Sequence, residues 1–266
     1  MDVDIIELSN YKARFILTGA TPAFANGIRR CALSEVPTLA IDEVDIYYNN
    51  SVLFDEQLAL RLGLIPLKAD TDLLVFPDEC DCDGGCSKCQ VFLTLNVEGP
   101  KTVYSKELIS ANPDVVEVAD KRIPIVKLKE DQTIMLNAIA RLGIGRDHAK
   151  WQTGVACGYK NMPIITIEEC DLCGKCIEEC PRNILKYNTN EDRIIASEED
   201  VINCSLCKLC EQICELDAIQ ISENPTTFIY NIESDGSMTA TDLIIKAADV
   251  IKKKSEELGE ILSSAI

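Results

Sequence analysis

Fourteen cysteines are the residues of this sequence best equipped for chemistry, and twelve of them fall into three tight groups. Cys170, Cys173, Cys176 and Cys180 are spaced C-x2-C-x2-C-x3-C, and Cys204, Cys207, Cys210 and Cys214 repeat that spacing. Each cysteine of the second group lies thirty-four residues after its mate (170 to 204, 173 to 207, 176 to 210, 180 to 214), which marks a duplicated half-module. Cys80, Cys82, Cys86 and Cys89 form a third group spaced C-x-C-x3-C-x2-C, leaving Cys31 and Cys157 apart. The N-terminal MDVDIIELSNYKARF has no basic stretch followed by an apolar one, so no export signal is expected. Without export, grouped thiols point to metal ligation rather than to a disulfide framework.

Iron in a cubane cluster takes soft thiolate ligands, four per cluster. Three cysteines at C-x2-C-x2-C can curl round one cluster face, and in the two-cluster pattern the fourth ligand comes from the other copy. That rule assigns Cys170, Cys173, Cys176 and Cys214 to one [4Fe–4S] cluster, and Cys204, Cys207, Cys210 and Cys180 to a second. Pro181 follows Cys180 as the motif expects, whereas Glu215 holds that place in the second copy. The proline is not a ligand, so the departure touches a turn and not the ligand count. Zinc is the competing reading of any one quartet, but the duplicated spacing favours two clusters. The Cys80 group is different: four sulfurs on one short loop, with Gly84 and Gly85 for a tight turn, suit a closed tetrahedral Zn2+ site. An empty or iron-loaded loop is the alternative there. Taken alone, the paired quartets describe a ferredoxin-type electron carrier.

Other chemistry has little material. The single histidine, His148, sits beside the only tryptophan, Trp151, in GRDHAKWQTG, where a packed or hydrogen-bonded role suits it better than general base. No G-x-x-x-x-G-K-[ST] or strand–G-x-G-x-x-G–helix pattern occurs, so nucleotides and flavins have no fingerprint. A net charge of −18 argues against direct binding to phosphate backbones, and fits equally a solubility role or basic protein partners. No apolar run approaches the ~18 residues that span a bilayer, and the expected location is the cytoplasm.

The elements that must carry these groups are legible mainly at the two ends. VDIIEL and ARFILTG read as strands. Thr21-Pro22 starts a helix, AFANGIRRCALSEV, which Pro37 terminates, and TLAIDEVDIYYNN reads as another strand. Near the other end TTFIYNIES alternates as a strand, with Phe228, Tyr230 and Ile232 on one face. TDLIIKAADVIKKKSEELGEILSSAI repeats apolar residues at helical spacing, interrupted at Lys254 and Ser255. One strand and one helix cannot bury their apolar faces alone. They are expected to complete the N-terminal elements as a discontinuous domain, 1–41 with 224–266; an amphipathic tail packed on its neighbour is the simpler alternative. Between them, 42–166 reads as a β-rich insert of short runs (LLVF, VFLTLNVEG, RIPIVKL), and 167–223 as the cluster cassette. The fold class is therefore α+β.

FANGIRRCALSEVPTLAIDEVDIYYNNS, followed by DEQLALRLGLIPL, resembles the signature of the α-like assembly subunits of DNA-directed RNA polymerase, in particular those of archaea. GRDHAKW is similar to a segment late in the inserted domain of that family, and ECDCDGGCSKC resembles the zinc loop of its eukaryotic counterpart. The cassette sits where some archaeal members of the family carry a ferredoxin-like domain. The resemblance covers essentially the whole chain. It implies a non-catalytic scaffold that pairs with the small subunit L and supports assembly of the other small subunits and the large catalytic subunits, with little direct DNA contact. It makes the split domain the dimerisation domain, and matches Phe24, Asn26, Arg29, Arg30 and Pro37 to the motif as assembly contacts. It implies no counterpart of the bacterial C-terminal DNA-binding domain and no catalytic residue here. The remaining alternative is a ferredoxin-type electron-transfer protein whose α-like portions are only a dimerisation scaffold.

Overall fold

The computed structural model describes residues 1–82, 84–189 and 191–265. Asp83 within the first cysteine loop, Asn190, and Ile266 at the end of the expected C-terminal helix lie outside them. Strand β1 (Asp2–Leu8), strand β2 (Lys12–Thr18), helix α1 (Pro22–Ser34), strand β3 (Thr38–Asn49), helix α2 (Asp55–Gly63) and strand β4 (Leu67–Ala69) come first. Strands β5 (Gln90–Glu98), β6 (Lys101–Tyr104), β7 (Ile109–Ser110), β8 (Val116–Val118), β9 (Pro124–Leu128), β10 (Thr133–Gly143) and β11 (Gly154–Ile167) follow. Next are helix α3 (Lys175–Glu179), strands β12 (Lys186–Asn188) and β13 (Arg193–Ile195), and helices α4 (Glu198–Val201) and α5 (Leu209–Gln212). Strand β14 (Ile219–Ser234) and helix α6 (Ala240–Ser264) come last.

The chain divides into two compact units. The first comprises Met1–Ile6, Arg14–Ala25 and Gly158–Tyr230. Its strands belong to a sheet ordered β1-β2-β14-β11. Alternation along β2 buries Phe15 and Leu17, and Phe15 stacks on Tyr230 of β14 with ring centroids 4.9 Å apart. Tyr159 meets the edge of Phe228 at 5.5 Å, so three strands contribute to one aromatic layer. The Tyr230 hydroxyl donates to the Ala25 carbonyl at 2.5 Å, which satisfies a fully buried polar group. Helix α1 starts where the sequence places it: the Thr21 hydroxyl accepts from the Phe24 N–H at 3.2 Å and Pro22 opens the first turn. The helix ends at Ser34, three residues before Pro37.

The second unit comprises Glu7–Ala13, Asn26–Cys157 and the chain from Asn231 onward. Its main sheet is ordered β3-β10-β5-β7, with β10 antiparallel to both neighbours. Opposed pairs such as Leu136 with Leu95 and Leu142 with Leu39 turn one face inward, and helix α2 covers that core with Leu58 and Leu62. This helix was not expected within a run of short strands. Its signals are present: apolar residues at i and i+4, and Asp55 and Glu56 at the positive end of the helix dipole. LLVF is not a strand. It lies between a turn capped by Asp70 and a second begun by Pro77, and the Val75 N–H finds a partner in the Lys88 carbonyl at 2.8 Å.

Helix α6 is continuous through Lys254 and Ser255. Thr239 caps it by accepting from the Asp242 N–H at 3.1 Å, and Ala240, Leu243 and Ala247 are its buried face. The helix lies along α1. A Cβ added to Gly27 would stand 3.5 Å from Ile251 Cδ1, and Lys254 pairs with Glu35 at 3.0 Å. None of the helices among the described residues is long and apolar enough to cross a membrane.

Candidate metal centres

The Cys80 loop is closed at its base by the Val75–Lys88 backbone bond and wound inside by the Cys86 carbonyl, which accepts from the N–H groups of Cys89 and Gln90. Gly84 and Gly85 adopt φ of +81° and +108°, and a Cβ at Gly85 would fall 2.3 Å from Gln90 Oε1. The positive φ at both positions is what calls for glycine, while the Gln90 side-chain amide packs into the space beside Gly85. The folded loop brings all four sulfurs within 4.8 Å of one another. Cys80–Cys86, Cys82–Cys89 and Cys86–Cys89 measure 3.7, 3.6 and 4.0 Å. Four thiolates placed tetrahedrally at the ~2.3 Å zinc–sulfur distance stand about 3.8 Å apart, so the spacing fits a single ion. The Lys88 N–H holds the Cys86 thiol down to about 7, whereas hydrogen bonds from Cys80 and Cys89 push Cys82 up to about 12. The loop is a cysteine-rich group able to hold a metal.

In the cassette the thirty-four-residue offset reappears in the backbone. Left-handed residues pair as Leu172 with Leu206, Gly174 with Lys208, and Asn183 with Asp217. Helices α3 and α5 start at positions 175 and 209, again thirty-four apart. Leu172 N–H donates to Cys170 Sγ at 3.4 Å and Leu206 N–H to Cys204 Sγ at 3.4 Å. Ala218 N–H reaches Cys214 Sγ at 3.3 Å. Such turns aim amide hydrogens at sulfur, which stabilises thiolate. Cys176, Cys180, Cys204 and Cys210 are buried among Ile184, Leu185, Ile194, Ile219 and Ile221. Burial pushes the Cys176 thiol up, and the charges of Cys170, Cys173 and Cys214 add to the effect. Burial likewise pushes Cys210 up to about 11, with Cys180, Cys204 and Cys207 as its charged neighbours. The electrostatic neighbours of Cys176 thus include Cys214 of the other copy, and those of Cys210 include Cys180. Among the described residues only the Cys80 group reaches single-ion spacing.

The RNA polymerase Rpb3/RpoA insert domain family matches residues 44–164. A DNA-directed RNA polymerase subunit Rpo3 of Methanosarcina acetivorans is 54% identical over 264 residues, 98% of both chains. The Rpo3 of Methanosarcina mazei is also 54% identical over 98% of each, and that of Archaeoglobus fulgidus 42% over 98% of this chain and 97% of its own. The chain belongs to the Rpo3 family. Among the motif residues of this Rpo3-family chain, Arg29 Nε donates to Asn26 Oδ1 at 3.0 Å, and both are half-buried. Arg30 is exposed, while Phe24 and Pro37 are half-buried.

GRDHAKW acts as a staple. Trp151 Nε1 donates to the Arg141 carbonyl at 3.0 Å, and its indole occupies the space where Gly143 lacks a side chain. Lys150 lies 4.3 Å over the indole and binds Asp42 at 2.5 Å. His148 is exposed and accepts from the Lys150 N–H through Nδ1 at 3.0 Å, capping a turn. Sequence reasoning missed Arg14 and Lys160, whose side chains reach the second cysteine copy. No local signal marks them, because their partners lie 188, 189 and 44 residues away.

Proposed function

We propose that this chain is a non-catalytic assembly subunit of DNA-directed RNA polymerase, pairing with a small subunit L as the platform for the other small subunits and the large catalytic subunits. The observation that carries the reading is its 54% identity to a Rpo3 over 98% of both chains. Residues 1–41 with 224–266 are the dimerisation domain, 42–166 the inserted domain and 167–223 a ferredoxin-like cassette. The family match at 44–164 supports the second boundary pair, and the packing of α1 against α6 supports the first. Phe24, Asn26, Arg29, Arg30 and Pro37 are assembly contacts, and Leu258, Ile261 and Leu262 extend an exposed apolar stripe along α6 for a partner. Native purification under anaerobic conditions is expected to bring down an L-like chain and the large subunits. Recovery of this chain alone would contradict the reading.

Cys170, Cys173, Cys176 and Cys214 hold one [4Fe–4S] cluster, and Cys204, Cys207, Cys210 and Cys180 the other. The duplicated turns, the amide-to-sulfur bonds and the cross-copy neighbours support this, since a cubane spreads its thiolates over four irons rather than one. The Cys80 loop holds Zn2+, supported by its tetrahedral sulfur spacing. When bound, the clusters supply metal–thiolate bonds that fix the cassette and a one-electron couple that lets assembly respond to redox state. The chain's own residues bury the thiolates and donate amides to them. Serine at Cys170 or Cys204 is expected to weaken pairing with L and polymerase assembly. Full assembly by both variants after air exposure would remove the gating role.

A further inference from the structure

The two copies of the cassette share a backbone but not their surroundings. In the second copy, three consecutive residues are gripped from outside the cassette. Lys160 Nζ on β11 donates to the carbonyl of Cys204, itself a candidate ligand. Arg14 on β2 donates to the Ile202 carbonyl at 3.4 Å and to Asn203 Oδ1 at 2.9 Å. Arg14 alternates with buried Ala13 and Phe15, so it projects from the opposite face of its strand. Both cations are half-buried. The equivalent stretch of the first copy, thirty-four residues earlier, is Glu168, Glu169 and Cys170. There the tie is a backbone one, Glu168 N–H to the Ala218 carbonyl at 2.9 Å.

Burial makes this difference consequential. Three thiols of the second set (Cys180, Cys204 and Cys210) are buried, against only Cys176 in the first. One-electron reduction of a [4Fe–4S] centre with four thiolates changes its net charge from −2 to −3. Nothing else is made or broken. Adding negative charge in apolar surroundings is unfavourable unless a positive charge is near. Arg182 lies within electrostatic reach of Lys160 and adds to the same side. Elsewhere in the cassette the cations are internally paired: Lys175 with Glu215 at 2.5 Å, Lys186 with Asp200 at 2.6 Å, and Lys208 with Glu211 at 3.5 Å.

We propose that Lys160 and Arg14 are positioning residues that fasten the Cys204 ligand loop to strands β11 and β2 and raise the reduction potential of the cluster held by Cys180, Cys204, Cys207 and Cys210, leaving its twin unaffected. This rests on the two-cluster reading of the cassette. As a scale, a unit charge roughly 12 Å from any redox centre, at an effective dielectric of about 20, shifts a one-electron reduction about tenfold, which is ~59 mV.

The test is a dithionite potentiometric titration followed by electron paramagnetic resonance, on the chain purified anaerobically with its small partner. Lys160→Met is expected to lower one of the two midpoints by about tenfold in equilibrium constant, with iron content intact and the other midpoint unmoved. Lys160→Arg restores it, and Arg14→Gln shifts it less in the same direction. Cys180→Ser, by losing that cluster, identifies which wave has moved. Two unmoved waves in Lys160→Met and Arg14→Gln at full iron content, or equal movement of both waves, would overturn the clamp. If Lys160→Met sheds iron, an unmoved wave in Arg14→Gln overturns it alone. A wild-type chain without iron would instead fail the cluster reading, and the clamp with it.

Discussion

The inserted domain and the cassette both carry cysteine groups, yet they stand on different foundations. Among the described residues, the inserted domain contributes twenty-one of the twenty-three buried apolar residues of one core, joined by Leu39 and Ile41 and none of them a cysteine, and its four-cysteine loop hangs from the edge of that core. The cassette's buried cluster has nine residues, and four of the nine are candidate ligands. Hydrophobic burial of order 1.5–3 kcal/mol per large side chain can hold the first without metal, whereas so small a core cannot offset the ordering entropy of fifty-odd residues. On the proposed ligation, metal would be a fitting in one region and the framework in the other.

That contrast can be broken at four points. The largest effect is expected from iron removal: chelation under oxidising conditions should abolish amide-exchange protection across 167–223 while the β3-β10-β5 sheet keeps its own. Retained protection in the cassette would show that its apolar residues suffice. Next, Leu95→Ala, which empties a fully buried position, should cost about 2–5 kcal/mol in denaturant unfolding of the inserted domain, with iron content unchanged. Third, Cys86→Ser should release zinc and expose amides 75–90 without melting the sheet; loss of the whole domain would make the loop part of the framework. Smallest, Trp151→Phe should lose the bond to the Arg141 carbonyl at a cost of about 1 kcal/mol, read as a shift in the denaturant midpoint.

The pH dependence of the loop sharpens the same contrast. Cys86 sits near 7 and is partly thiolate at neutral pH, whereas Cys82, near 12, must give up a proton when a metal binds. Raising pH supplies thiolate, so zinc affinity is expected to climb from pH 6 to 8, with protons released on binding. An affinity flat across that range, measured by competition with a chromophoric chelator, would mean that the loop binds nothing through its thiolates.

Spacing made the cysteine groups legible, because ligation repeats at short intervals that a sequence displays directly. The same holds for α1, α6 and the strand through Phe228 and Tyr230, where caps and periodicity agree. LLVF misled because an apolar run becomes a strand only if a neighbour is free to pair with it; here the Leu73 and Leu74 amides close a local turn and the Val75 amide bonds to Lys88. Helix α2 was legible in DEQLALRLG but was hidden by the β-rich composition around it. Arg14 and Lys160 were not legible at all. A cation becomes a clamp only when the fold carries a distant loop to it, and nothing in ARFILTG or GYKNMP announces that.

Metal and sulfide content of the chain, purified anaerobically with its small partner, tests the central claim most directly. About eight irons, about eight acid-labile sulfides and about one zinc are expected per chain, with Cys210→Ser halving the first two and sparing the third. Zinc in the cassette, without sulfide, would contradict it.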